Sequence, residues 1–449
     1  MPSTPATLLQ LIRHSNVVRI LMLFVLVILF QVPIFAIDGM IRERQQRRDA
    51  AVEEVASKWG RQQSITGPML VVPYLTRSTD DVGGKPVVRE QQHVATFLPE
   101  QLSARGKLAA EARRRGIFST SVYHATLHVE GSFVRPSFTA WGVAPSDVQW
   151  DRARIVMGVS DVRAIESTTS MRWNGVPIEV LPGTADGAVV TSGVHGLVAM
   201  PEGTEAIPFT AELALKGSSG AYWAPLGKTT ELKLESNWTH PSFQGSSLPE
   251  HRAVSNKGFE ADWAVAYLGR NVPQSWTDSS VSQQALEGTR FGVDLIAATD
   301  HYQMATRSVK YAGMFLLLTF ATLWLVEVLA RVSIHPIQLL LIGSAMCVFY
   351  LLELSLSEHL GFGLAYLVAT LAIVMLVTAY SAAVLATRRR AAIVGSVVAA
   401  LYGYLYIVLT NEDYALLIGS IGVFAILGAI MYLTRRVDWY GTNTETASA

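Results

Sequence analysis

The chain has 449 residues, 50% of them hydrophobic and 16% charged, with a mean hydropathy of +0.30; an average soluble globule carries about 25% charged residues. Lys and Arg number 36 and Asp and Glu 36, a formal net charge of zero, so there is no protein-wide field for nucleic acid. A single cysteine, Cys347 in an apolar stretch, excludes a disulfide scaffold and reads as core filler.

The missing charge is concentrated. Residues 17–37 (VVRILMLFVLVILFQVPIFAI) form a first apolar run interrupted by Arg19 and Gln31. It exceeds the roughly 7–15 residues of a signal-peptide core, and Pro33, Phe35 and Ile37 stand where small cleavage-site residues belong. The run is expected to be retained as a transmembrane anchor after a cytoplasmic N-terminus, residues 1–16. Residues 40–59 follow as a polar segment without Gly or Pro, rich in strong helix formers. It reads as a solvated helix leaving the membrane, with Arg47 and Arg48 placed to meet lipid headgroups.

From residue 68 the pattern turns extended. Residues 68–75 (PMLVVPYL) contain Pro68 and Pro73 and suit an edge strand at best. Residues 87–97 alternate near their end. In 117–134, Val122, His124, Thr126 and His128 alternate with Tyr123, Ala125, Leu127 and Val129, the period of two that lays one face on a core. Segments 211–216, 231–236, 259–266 and 291–298 repeat the behaviour between turns rich in Gly, Pro, Asp and Ser. Many short strands with such turns predict a largely antiparallel β domain across residues 38–309. Strand–helix alternation is absent, which argues against parallel α/β. The loop-like stretch 136–151 leaves open whether this region is one β unit or two.

Chemistry is scarce in this domain. There is no phosphate-cradling glycine loop, no His-Glu-x-x-His and no cysteine pair. Ser192 and His195 lie in a sequence that lacks the nucleophile-elbow pattern. His124 and His128 fall on one strand face but about 13 Å apart, too far to share a metal. No enzymatic activity, cofactor or metal is expected. The stretch Asn237–Phe243 (NWTHPSF) is the most unusual. Trp238, His240 and Phe243 make it a candidate binding loop, although the two aromatic residues read more readily as plugs fastening a loop to the sheet.

Five further apolar runs, over residues 311–330, 336–356, 362–387, 391–410 and 414–434, are each about the length that crosses the hydrocarbon as a helix. They define a five-helix bundle, residues 310–434, before a cytoplasmic tail, 435–449. Arg331, Arg388–Arg390 and Arg435–Arg436 alternate with acidic connections at Glu358 and at Glu412–Asp413. Setting the arginines in the cytoplasm places both termini inside and residues 38–309 outside. Arg42, Arg44, Arg47 and Arg48 oppose this, but they border a large translocated domain.

Polar residues inside these spans are costly and therefore informative. Glu327 lies four residues before Arg331, a spacing that permits an intrahelical pair. His335 opens the next span ahead of Pro336. Glu353 is expected near enough to the outer end to reach water. Glu358 and His359 form a compact titratable pair in the outer loop, suited either to carry protons or to fasten that loop to the outside domain.

Several blocks in order along residues 20–440 carry a resemblance. They are Ser64-Ile65-Thr66-Gly67-Pro68, His240-Pro241-Ser242-Phe243 with Gly245 and Leu248-Pro249, and Thr299-Asp300 with Tyr302. In the membrane part they are Lys310-Tyr311, Glu327, His335-Pro336-Ile337-Gln338 with Gly343, Phe349-Tyr350-Leu351-Leu352, Leu356-Ser357-Glu358-His359 with Gly361-Phe362, and Asp438-Trp439-Tyr440. Through these the chain resembles the CreD family of bacterial inner membrane proteins. The resemblance implies one span, a periplasmic domain and five more spans. It also implies a non-enzymatic component under two-component control, linked to envelope integrity, colicin tolerance and responses to β-lactams. It brings no catalytic residues. The chain departs from the family in its extension, residues 1–14, and its tail after Tyr440. Three functions compete: an envelope accessory protein whose partners are the bilayer and either an envelope protein or a second copy; a proton-coupled or lipid and small-molecule transporter; and a hydrolase, for which no nucleophile or metal is found.

Overall fold

The computed structural model describes residues 16–435 apart from 83–84, 185, 202, 204, 297–300, 331, 386 and 412. Arg331, Glu412, Arg436, Thr299, Asp300 and Asp438–Tyr440 lie outside the described residues. The chain forms two compact units, Met1–Gln46 with Thr299–Ala449, and Arg47–Ala298.

The anchor and the polar segment after it are one helix, α1 (Asn16–Trp59), 44 residues long with Pro33 inside it. Neither Pro33 nor the Asp38-Gly39 pair at the junction stops the helix: the apolar half satisfies its backbone internally, as lipid requires, and the polar half consists of strong helix formers. Gly60 ends it at φ 147, where a Cβ would fall 2.7 Å from the Lys216 carbonyl oxygen.

The second unit is built from β1 (Gln63–Val82), β2 (Lys85–Phe97), β3 (Gln101–Arg115), β4 (Phe118–Val134), β5 (Arg154–Val159), β6 (Ser170–Trp173), β7 (Val176–Ile178), β8 (Leu181–Pro182) and β9 (Gly193–Leu197). It continues with β10 (Ala206–Ser218), β11 (Gly220–Ala224), β12 (Thr229–Ser236), β13 (Pro241–Gly245), β14 (His251–Ser255), β15 (Gly258–Ala266), β16 (Ser275–Thr277), the five-residue helix α2 (Gln283–Glu287) and β17 (Phe291–Leu295). One sheet runs β13-β17-β11-β1-β5-β9-β8, with β2 on β1 and β16 on β2. The other runs β14-β15-β12-β3-β4-β10-β6-β7. Pairing is mainly antiparallel, but β1 with β11 and β3 with β12 are parallel, so both sheets are mixed.

The two sheets bury one core. Tyr123, Leu127 and Val129 of β4, Phe209 and Leu213 of β10, Leu70 of β1, Trp223 of β11 and Phe291 of β17 all belong to it. The void beside Gln63, Tyr123 and Trp223 is about 20 Å³, room for about one water molecule, and the Tyr123 hydroxyl donates to the Gly220 carbonyl at 2.8 Å.

Two expectations for this unit need correction. Residues 68–75 are an edge only in part: Leu70 and Val71 pair with both β5 and β2, whereas beyond Val71 the ladder runs with β2 alone apart from a single bridge from Tyr74 to Val148. The prolines of this segment sit at the joints between partners. Pro68 falls in the register shift between Thr66 and Met69, and Pro73 lies just past the last β5 pair, Val71 with Arg154. A missing N–H is tolerated at such places. β3 has no counterpart among the expected strands. Its sequence, QLSARGKLAAEARRR, is rich in helix formers, yet Leu102, Ala104, Leu108 and Ala110 alternate inward and tertiary pairing with β4 and β12 overrides propensity.

The helical unit adds α3 (His301–Lys310), α4 (Ala312–Ala330), α5 (Pro336–Leu360), α6 (Phe362–Val384), α7 (Arg388–Thr410) and α8 (Ala415–Thr434). Val18–Trp59, Pro336–Leu360, Phe362–Val384, Arg388–Thr410 and Ala415–Tyr432 are each long and apolar enough to cross a membrane. His301–Lys310 and Ala312–Val328, bent by 46°, pass together as a sixth span. Apolar side chains such as Phe24, Leu364, Leu371 and Phe424 are exposed on these helices, as a lipid-facing surface requires.

Candidate functional site

The polar residues of the helical unit gather in three places. At one end of α1, Arg19 forms an ion pair with Glu327 of α4 and donates to the Ser333 hydroxyl at 3.1 Å. Glu327 also accepts from the Ile334 N–H at 3.1 Å. Its partner is therefore on another helix, while Arg331 lies outside the described residues. Next along the chain, His335 is a helix cap: its Nδ1 accepts from the Ile337 N–H at 3.3 Å, and Gln338 Oε1 accepts from the His335 N–H at 2.8 Å. This reciprocal box, with Pro336 in the first turn, is a stop-and-start device for the chain.

Beyond the far end of the apolar stretch of α1, the Tyr302 hydroxyl donates to Glu358 Oε1 at 2.9 Å, and Arg44 Nε lies 3.7 Å from the same oxygen. At 1.5 Å per residue the run from Arg19 to Arg44 covers about 37 Å, enough to span a hydrocarbon core of about 30 Å. The first span is thus tied to the bundle at both ends by charge. Glu358 and His359, expected in the outer loop, are placed differently. Both stand in the last turns of α5 rather than in a loop, where adjacent residues point to different sides, and His359 is exposed.

Between these ends lies the group least anticipated by the sequence. Glu353 does not reach water. It is 1% exposed, because α5 continues to Leu360 and α3 packs over it. The buried Ser308 hydroxyl of α3 donates to Glu353 Oε2 at 2.8 Å. Glu353 Oε1 has no partner among the described residues, and the same is true of the buried Tyr350 and Tyr402 hydroxyls. Phe349, one turn before Glu353, packs against Tyr350, Tyr366 and Tyr402 with ring centroids 5.0, 5.3 and 4.3 Å apart. The Tyr366 hydroxyl donates to the Tyr402 carbonyl at 2.6 Å. A carboxyl oxygen unsatisfied in an apolar interior is expensive, which makes Glu353 the leading candidate among the polar groups of the bundle. Ser308 carried no signal in the sequence, since it lies outside the apolar runs, whereas Tyr302 stands in one of the blocks that carry the resemblance.

The β-unit candidates are separate. The Trp238 Nε1–H donates to the Ile296 carbonyl at 2.9 Å. Phe243 meets Phe259 and Trp263 edge-on, with centroids 5.6 and 5.8 Å apart. The His240 Nδ1 lies 2.9 Å from the Thr239 hydroxyl, and the ring is exposed. Asn237 exchanges two hydrogen bonds with the Ala110 backbone, at 2.7 and 2.9 Å. These contacts are those of plugs and a clamp. His124 faces Glu166 at 3.1 Å and His128 faces Glu130 and Glu212, while no cluster of metal-binding side chains occurs among the described residues.

The family described as inner membrane protein CreD matches residues 15–440. Inner membrane protein CreD of Escherichia coli (strain K12) is 31% identical over 433 residues, covering 95% of this chain and 94% of the relative.

Proposed function

The chain belongs to the CreD family of inner membrane proteins and crosses the membrane several times, and on that premise we propose that it supports cell envelope integrity, including tolerance of envelope stress and of colicins. In this reading the Arg47–Ala298 unit stands in the periplasm, both termini are cytoplasmic, and the unit is a binding or scaffolding domain for an envelope protein or a second copy. The observation that carries it is the filled space between the two sheets. A void of about 20 Å³ admits no small-molecule substrate, so recognition falls to the outer faces. The outer face of the β3–β4–β10–β12 sheet offers a mixed charge lattice, with Lys107 against Glu235 at 3.1 Å and Arg105 against Glu130 at 4.0 Å. Such a surface suits electrostatically steered partners.

The test is in-cell crosslinking of the full-length protein from a photoreactive residue at the exposed Thr126 of β4 on that face, with envelope-stress complementation in parallel. A discrete crosslinked envelope species, lost together with complementation when Lys107, Arg105 and Lys233 are changed to Glu, is expected. Full complementation by that triple variant sinks the proposal.

A second reading, proton-coupled or lipid and small-molecule transport, is favoured by the unsatisfied Glu353 oxygen. It expects Glu353→Gln to accumulate in the membrane and fail in the same assay; wild-type behaviour of that variant removes it.

A further inference from the structure

The interior of the helical unit holds a carboxyl group with no countercharge. Glu353 of α5 is 1% exposed, and only one of its oxygens is bonded, to the Ser308 hydroxyl of α3. No Arg, Lys or His pairs with it among the described residues. Arg307, next to Ser308 in the chain, reaches α7 instead, where it donates to the Val408 carbonyl at 3.5 Å. A buried carboxyl group is tolerated beside a positive charge or as its neutral acid, and at high cost otherwise.

The surroundings of Glu353 choose the sign of what completes it. Its charge is felt by Tyr350 of the same helix, Tyr366 of α6 and Tyr402 of α7. Tyr350 and Tyr402 are 2% and 0% exposed, and their hydroxyls have no partner among the described residues. The Tyr366 hydroxyl donates to the Tyr402 carbonyl, while Cys347 of α5 and Phe315 of α4 adjoin Tyr402. These groups offer lone pairs and π electrons and no fixed positive charge. An anion finds nothing to hold it, whereas a cation finds the free Glu353 oxygen and two hydroxyls. Size narrows the choice. The Phe349 ring lies 4.3 Å from Tyr402, 5.0 Å from Tyr350 and 5.3 Å from Tyr366, centroid to centroid. Packing this close leaves no room for an organic ammonium group, but it admits a proton or a sodium ion.

Access is set by α3. This helix has ten residues, bent by 46° from α4, and it buries Tyr302, Ala305, Ser308 and Val309. Two hydroxyl bonds hold it to α5, Ser308 to Glu353 at 2.8 Å and Tyr302 to Glu358 at 2.9 Å. Lifting α3 breaks the first bond and uncovers the carboxyl group. An ion this small needs no standing cavity.

We propose that Glu353, with the Tyr350 and Tyr402 hydroxyls, binds a compact monovalent cation, a proton or a sodium ion, beneath α3. A proton makes the free Glu353 oxygen a donor to one of the two tyrosine oxygens. A sodium ion takes those oxygens as ligands beside the carboxylate. The inference rests on the transport reading above and gives that reading its ion.

The test is infrared difference spectroscopy of the full-length protein in nanodiscs at pH 7, parent against Glu353→Gln, in sodium chloride and in choline chloride. A bound proton shows a carboxylic-acid carbonyl band that is lost in Glu353→Gln and is the same in both salts. A bound sodium ion shows instead a carboxylate band that shifts saturably with sodium. Either result supports the site. Tyr350→Phe or Tyr402→Phe should then move the same band in a protein that unfolds as the parent does, since neither hydroxyl has a partner to lose. An ionised carboxylate unmoved by sodium overturns the proposal, and so does a band that neither phenylalanine variant shifts. Ser308→Ala removes the latch and should quicken exchange of the ion, followed after a deuterium or sodium jump, by up to about tenfold; an unchanged rate overturns α3 as the cover. A bound cation with full complementation by Glu353→Gln keeps the site and removes transport. An ionised, sodium-insensitive Glu353 with failed complementation does the reverse.

Discussion

The Ser308 hydroxyl of α3 donates to the Glu353 carboxyl group of α5 at 2.8 Å, and both residues are buried. This bond joins the segment that enters the bundle, just before the 46° bend, to the helix that carries the unsatisfied oxygen. It makes the bend and the carboxyl group parts of one arrangement.

Ser308→Ala should therefore destabilise the helical unit by about 1–3 kcal/mol, the penalty for leaving a buried polar atom unpaired. Glu353→Gln keeps an acceptor for Ser308 and should unfold close to the parent. Both are read by denaturant unfolding in detergent micelles. A Ser308→Ala protein as stable as the parent means that the bond contributes nothing.

Arg19 and Glu327 are both largely shielded, with side-chain exposures of 24% and 11%. Replacing Glu327 by Gln leaves a guanidinium beside a neutral amide and should cost on the order of 1–3 kcal/mol. Adding Arg19→Gln should recover part of that loss. A double-mutant cycle in the same unfolding assay reports the coupling, and additive single costs remove the proposed tie between α1 and α4.

Asp161 supplies the clearest pH dependence in the β unit. Its carboxylate is held below the usual range, first by the Arg163 side chain, against the cost of burial, and then by the N–H groups of Arg61 and Arg163 and the Arg163 charge. A folded-state value below the unfolded one, about 3.9, means that this stabilisation is complete above about pH 4 and is lost as pH falls through the lower folded value. Thermal unfolding between pH 6 and pH 3 should show Asp161→Asn losing less stability with acid than the parent. Parallel curves rule the group out as a contributor.

Asn237 mimics a strand edge toward Ala110. Asn237→Ala strands a backbone N–H and a carbonyl and should cost about 1–3 kcal/mol, which lowers the melting temperature of a unit this size by several degrees. Asn237→Asp loses the donor alone and should fall between. Differential scanning fluorimetry of the full-length protein distinguishes the three.

The sequence alone determined which stretches enter the membrane and which form β structure. Hydropathy sums over about twenty residues and strand alternation repeats every second residue, so both signals are local. The Ile117–Val134 alternation appears as β4, with Tyr123, Ala125, Leu127 and Val129 turned to the core. Partners were a different matter. The prolines of 68–75 suggested an edge because sequence does not reveal where a long strand changes neighbours, and β3 hid behind helix formers because its partners, β4 and β12, decide its conformation. Glu353 and Glu358 looked like end-of-span groups for the same reason. A helix face becomes an interior only when α3 and α1 lay Ser308, Tyr302 and Arg44 against it, and those contacts join residues between 45 and more than 300 positions apart. Local free energies set the elements; burial and charge pairing, which depend on what lies opposite, required the tertiary structure.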